Sequence, residues 1–70
     1  MSKDEYLVSG TVIKVERNLF KVQLDDSDAI VLCTLAAKLK LNRIFVTKAD
    51  SVEIIISAYD ITRGRIVKRL

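Results

Sequence analysis

The side chains in this sequence that could act on a ligand are cations, and they come in two groups. Lys38, Lys40, Arg43 and Lys48 fall within one short stretch, and Arg63, Arg65, Lys68 and Arg69 crowd the end of the sequence. Lysine and arginine displace counterions from phosphates, and the arginine fork bonds phosphate oxygens two at a time, so clusters of this kind fit a nucleic acid. A single lysine reads better as a solubilising surface residue, but two clusters reverse that preference. Rings able to stack on bases are few: Tyr6, Phe20, Phe45 and Tyr59. Phe20 sits in a strand pattern as a core residue. Phe45 lies among the cations, where exposure and burial under the loop fit about equally well. Charge with few rings favours a shaped, phosphate-lined RNA surface over base-by-base reading of a flexible strand.

Other chemistries lack their parts. Without any histidine, the usual general base of serine and cysteine nucleophile systems is missing, and so is the most versatile neutral metal ligand. The single cysteine, Cys33, can make neither a zinc site nor an intramolecular disulfide, which fits a reducing compartment. With only Gly10 and Gly64, no phosphate-cradling loop or dinucleotide fingerprint can be written. Asp25, Asp26 and Asp28 crowd together, but Asp in turns bonds its own backbone, so a hairpin turn is a better reading than acid–base or metal chemistry. The expectation is a binding module with no catalytic residue, metal or cofactor.

At 70 residues, with a formal net charge of +3, the sequence suits one domain around one thin core. The opening MSKDEYLVSG is charged and then alternates, unlike a signal peptide, and no apolar run nears the roughly 20 residues of a membrane helix. A soluble, cytoplasmic protein is expected, with an organelle matrix or stroma as the other compartment open to it.

Positioning the cations falls mostly to strands. Leu7 to Val15 alternate loosely as a long first strand, with Gly10 as its bulge or bend. Leu19 to Leu24 place Phe20, Val22 and Leu24 on one face, forming a hairpin with the first strand. Ala29 to Leu35 are a continuous apolar run that suits a strand buried on both sides or closed into a barrel. Ala36 to Leu41 switch to helix formers with Asn42 as cap, and Arg43 to Asp50 read as loop. Ser51 to Ala58 point Val52, Ile54, Ile56 and Ala58 one way. Tyr59 to Gly64 read as a connection, and Arg65 to Arg69 as a terminal strand centred on Val67.

Five short strands leave raw edges unless the sheet closes, and a long bent first strand is how a small barrel closes. The reading is an all-β, five-stranded, partly open OB-fold barrel spanning 1–70 as a single RNA-binding domain, with one short helix between strands 3 and 4. An SH3-like barrel competes, but its usual insertion does not place a helix there.

The residues then resemble a family. Gly10, Thr11 and Val12, the Phe20, Lys21, Val22 stretch, Lys38 through Asn42 with Ile44, and above all the run YDITRGRIV from Tyr59 to Val67 are similar, in order, to bacterial translation initiation factor one. The resemblance implies an OB-fold monomer that binds the decoding (A) site of the small ribosomal subunit, beside rRNA and ribosomal protein, and supports the other initiation factors. It places Lys38, Lys40, Arg63, Arg65 and Arg69 where the family sets basic residues against rRNA, with Asn42 in the same loop. Arg43, Phe45 and Lys68 complete the candidate RNA-binding set by their position among those cations. Leu41 and Phe45 stand where the family is usually basic, Arg43 where it is usually aromatic, and Ala49 where it usually has glycine. Two further readings stay open: a generic single-stranded RNA-binding protein or RNA chaperone of the cold-shock or S1 type, and a protein-interaction module working through an exposed strand edge.

Overall fold

The computed structural model describes residues 4–70. Five strands and one helix follow one another as β1 (Glu5–Glu16), β2 (Leu19–Leu24), β3 (Ile30–Leu35), α1 (Ala37–Leu41), β4 (Ser51–Ser57) and β5 (Asp60–Arg69). They form a closed barrel in the order β1-β2-β3-β5-β4, with β3 and β5 parallel and the other neighbours antiparallel. Closure, where a partly open sheet was expected, comes from β1. Its first half pairs with β4, from Glu5 opposite Ser57 to Thr11 opposite Ser51, and its second half pairs with β2, from Gly10 opposite Leu24 to Glu16 opposite Leu19. One strand shared by both edges leaves neither edge unpaired.

Gly10 sits at the crossing, opposite Leu24 on one side and Val52 on the other. A Cβ there would lie 2.6 Å from the Gln23 carbonyl oxygen and 2.6 Å from Val22 Cγ1, so only glycine lets the two strands approach this closely. The bulge expected at Gly10 lies instead at Ile13, the extra residue between Val12 opposite Val22 and Lys14 opposite Lys21. Pairing also extends ahead of the start of β4: Val12 N–H donates to the Asp50 carbonyl at 2.9 Å, and Ala49 N–H donates to the Val12 carbonyl at 2.7 Å. That tie holds Ala49 at φ 76°, a left-handed conformation costly for a residue with a Cβ.

Inward positions of every strand meet in one core of Val12, Phe20, Val22, Val31, Cys33, Val52, Ile54, Ile56 and Ile66, joined by Leu39 of the helix and Val46 of the loop. No polar or charged side chain among the described residues is buried with them. Burial pushes the Cys33 thiol up to about 12, so its thiolate is suppressed at neutral pH.

The strand and helix positions expected from sequence hold for β2, α1 and the 43–50 loop, and three details change. β3 is not buried on both sides: Val31 and Cys33 point in while Ile30, Leu32 and Thr34 face out, the apolar run reflecting barrel closure. β4 ends at Ser57, leaving Ala58 exposed in a two-residue turn with Tyr59. β5 begins at Asp60 where a connection was expected: Asp60 pairs with Ser57 of β4, and Arg63 to Ile66 pair with Leu32 to Leu35 of β3. Its inward residue is Ile66, and Val67 is the extra residue of a bulge between Ile54 opposite Ile66 and Glu53 opposite Lys68.

Two substitutions read this geometry in opposite directions. Gly10→Ala should lower stability by about 1–3 kcal/mol through overpacking, and Ala49→Gly should raise it by about 1 kcal/mol by relieving the left-handed backbone. Urea unfolding should show both as shifts in midpoint at an unchanged m-value.

Candidate nucleic-acid interface

The helix is set by its ends. Ala36, extended at φ −63° and ψ 147°, donates its N–H to the Ile66 carbonyl at 2.9 Å, which pins the start of α1 to β5. Leu39 then turns into the mouth of the barrel and is buried, which leaves Lys38 and Lys40 on either side of it in solvent. At the other end Asn42 is the cap, Arg43 N–H bonds the Lys40 carbonyl at 3.1 Å, and Ile44 N–H bonds the Leu39 carbonyl at 2.9 Å. This pair of bonds is a Schellman closure, which needs a left-handed residue just past the cap. Here that residue is Arg43, at φ 54°, where glycine is usual. Ile44 packs half-buried against the core as the chain leaves the helix.

β5 brings the second group of cations to the same end. Arg69 pairs with Val52, and its Nη1 donates to the Phe45 carbonyl at 2.8 Å, tying the loop to the last strand. Between them lies a cleft of about 430 Å³ lined by Lys38, Leu39, Asn42, Ile44, Val67, Lys68 and Arg69, with cations around an apolar floor. Lys38, Lys40, Asn42, Arg43, Phe45, Lys68 and Arg69 thus gather at one end of the barrel. Arg65 faces outward on β5 between Thr34 and Ile55, and Arg63 faces outward beside Leu32. Arg63 is six residues from Arg69, which is about 20 Å of strand. It stands on the same outward face as Arg65, two residues along β5, and away from the cleft at the helix end.

Few carboxylates balance the charge at this end, Glu53 opposite Lys68 being one. Among the described residues, Lys38, Lys40, Arg43, Lys48, Arg65 and Lys68 make no salt bridge, whereas Lys14 holds Glu16 at 2.7 Å. That pair raises the Lys14 pKa and lowers that of Glu16, first by the hydrogen bond and then by Coulomb attraction. At the opposite end, the Thr62 hydroxyl and N–H hold the Asp60 carboxyl below its usual range, with Arg63 adding a smaller pull. No group of three or more metal-ligating side chains occurs among the described residues.

Phe45 is 74% exposed, so of its two readings the structure takes the solvent-facing one. Tyr59 is exposed too, but in the β4–β5 turn at the far end of the barrel, so it and Phe45 form no common stacking platform. The sequence reading missed Ile44 and Val67, which floor the cleft, because only the folded chain places the end of α1 beside the bulge of β5. It also passed over Lys14, which with Lys48, Val46 and Thr47 lines a second groove of about 440 Å³. On a strand, that lysine gave no signal beyond ordinary alternation.

The chain is 45% identical, over 99% of its length and 97% of the relative's, to translation initiation factor IF-1 of Solibacter usitatus (strain Ellin6076). The chain belongs to the translation initiation factor IF-1 family. The solution structure of translation initiation factor IF-1 from the wolbachia endosymbiont strain TRS of Brugia malayi superposes with a TM-score of 0.79 at 30% identity, covering 99% of this chain and 82% of that one. YjeQ from Thermotoga maritima shares the fold at a TM-score of 0.78 and 23% identity, over 93% of this chain and 23% of that one. No protein-family model matches. As an IF-1 family member the protein is an OB-fold translation initiation factor of protein biosynthesis, and it is not an enzyme. No helix among the described residues is long and apolar enough to cross a membrane.

Arg43 separates binding from stability. Arg43→Gly should raise stability by about 1 kcal/mol by fitting the left-handed position. The same change should weaken RNA binding by removing one cation. Thermal unfolding and RNA titration of the same variant should therefore move in opposite directions.

Proposed function

We propose that this initiation factor binds the decoding (A) site of the small ribosomal subunit through rRNA, using the basic end of the barrel. The observation that carries this reading is the cleft where Lys38 and Asn42 from the helix meet Lys68 and Arg69 from β5, with the loop tethered by Arg69. Cations held on rigid elements without carboxylate partners lose little by exchanging counterions for phosphates. Lys40, Arg43 and Phe45 border the cleft on the helix and loop, and Arg65 and then Arg63 extend the surface along β5. Family membership supports the subunit as the target, with a ribosomal protein beside the rRNA and the other initiation factors assembling on the same complex. The closed barrel has no free sheet edge among the described residues, which supports a monomer and removes the basis for partner binding through an exposed edge strand, while family membership supports work in the cytoplasm.

The stacking mode of cold-shock-type proteins is disfavoured by the distance between Phe45 and Tyr59, since bases must be splayed over several adjacent rings. Phosphate contact should dominate instead. Affinity for purified small subunits should fall with salt at a log-log slope of roughly −4 for about five phosphate contacts. Lys40→Ala or Arg65→Ala should each make that slope shallower by about one. Affinity indifferent to salt would refute the reading.

A further inference from the structure

One carboxylate stands within the basic end itself. Asp50 closes the loop that carries Arg43, Phe45 and Lys48, yet among the described residues it makes no salt bridge with any cation. Its Oδ2 accepts instead from the Thr47 N–H at 2.8 Å and from the Thr47 hydroxyl at 3.3 Å. The backbone repeats the link, with Asp50 N–H donating to the Thr47 carbonyl at 3.2 Å. Thr47 to Asp50 are therefore one β-turn, and the left-handed Ala49 at its third position, φ 76°, makes it type II. Lys48 occupies the tip.

The chain is fastened on both sides of this tip. Behind it, Val12 N–H bonds the Asp50 carbonyl at 2.9 Å and Ala49 N–H bonds the Val12 carbonyl at 2.7 Å. Ahead of it, Val46 is buried in the core and the Phe45 carbonyl is held by Arg69 at 2.8 Å. The Asp50 side chain spans what is left, the two residues Thr47 and Lys48. On charge alone, a carboxylate among phosphate-binding cations is a cost, because it repels the same phosphates. Geometry gives it a use. We propose that Asp50 is a positioning residue: by fastening Thr47 it holds Lys48, and the loop back to Phe45, in one arrangement before RNA arrives. Ordering of these side chains is then not subtracted from the free energy of binding. The inference rests on the basic end being the RNA-binding surface, and adds to it a residue that acts through its neighbours.

Two substitutions separate geometry from charge. Asp50→Asn keeps an oxygen in place for the Thr47 N–H and removes the charge, whereas Asp50→Glu keeps the charge and moves the oxygens by one methylene. On purified small ribosomal subunits, Asp50→Glu should bind about ten-fold more weakly, because the loosened side chains must be ordered on binding. Asp50→Asn should bind about two-fold more tightly, because one repulsion is gone. Equal affinities of the two variants, or the reverse order, overturn the proposal, as does a lower urea midpoint for Asp50→Glu with affinity unchanged. In the free protein, amide hydrogen exchange at Thr47 should be about ten-fold faster in Asp50→Glu, the worth of one charge-assisted hydrogen bond. Exchange there at the rate of the unsubstituted protein also overturns it. This measurement needs no RNA, so an unsubstituted protein that fails to bind small subunits counts against the proposed function alone.

Discussion

The close approach of two strands at Gly10 is the constraint on which the rest depends. There β1 passes from β4 to β2, and a side chain would collide with Val22 and with the Gln23 backbone. Because the crossing is tight, one strand serves both edges and the sheet closes. Closure turns the inward residues of five strands into a single small core, with Leu39 seated at its mouth. The helix that carries Leu39 therefore has only one place to sit, and its lysines have only one end of the barrel to occupy.

The same end shows where stability has been given up. Arg43 and Ala49 both hold left-handed backbone that glycine would adopt without strain. Arg43 puts a guanidinium at the helix terminus, which gives its strain a use in binding charge, whereas nothing in the structure explains Ala49. The cations around them lack carboxylate partners, and their mutual repulsion is a further cost in a barrel with so small a core. Such a surface gains most when phosphates replace solvent around it.

Alternation and composition made most of the fold readable: the face of Phe20 and Val22, the helix after Ala36 and the inward set of Val52, Ile54 and Ile56 follow directly from period and propensity. What escaped was set by pairing between distant strands. Tyr59 to Gly64 carry turn-forming residues, yet Asp60 and Thr62 bond one another within a strand whose later residues pair with β3. Val67 reads as a strand centre but is displaced by a bulge defined only by its partners on β4. The candidate site was legible as two clusters of charge. That Lys38 and Arg69 line one cleft while Arg63 and Arg65 stand along the outer wall depends on the path of β5, which local sequence does not encode.

Chemical footprinting of small-subunit rRNA, with and without the protein, tests the central claim most directly. The account predicts protection confined to the decoding site, lost at high salt and weakened when Lys38 and Arg69 are replaced together. Protection elsewhere on the subunit, or protection at the decoding site that survives both high salt and that double substitution, would contradict it.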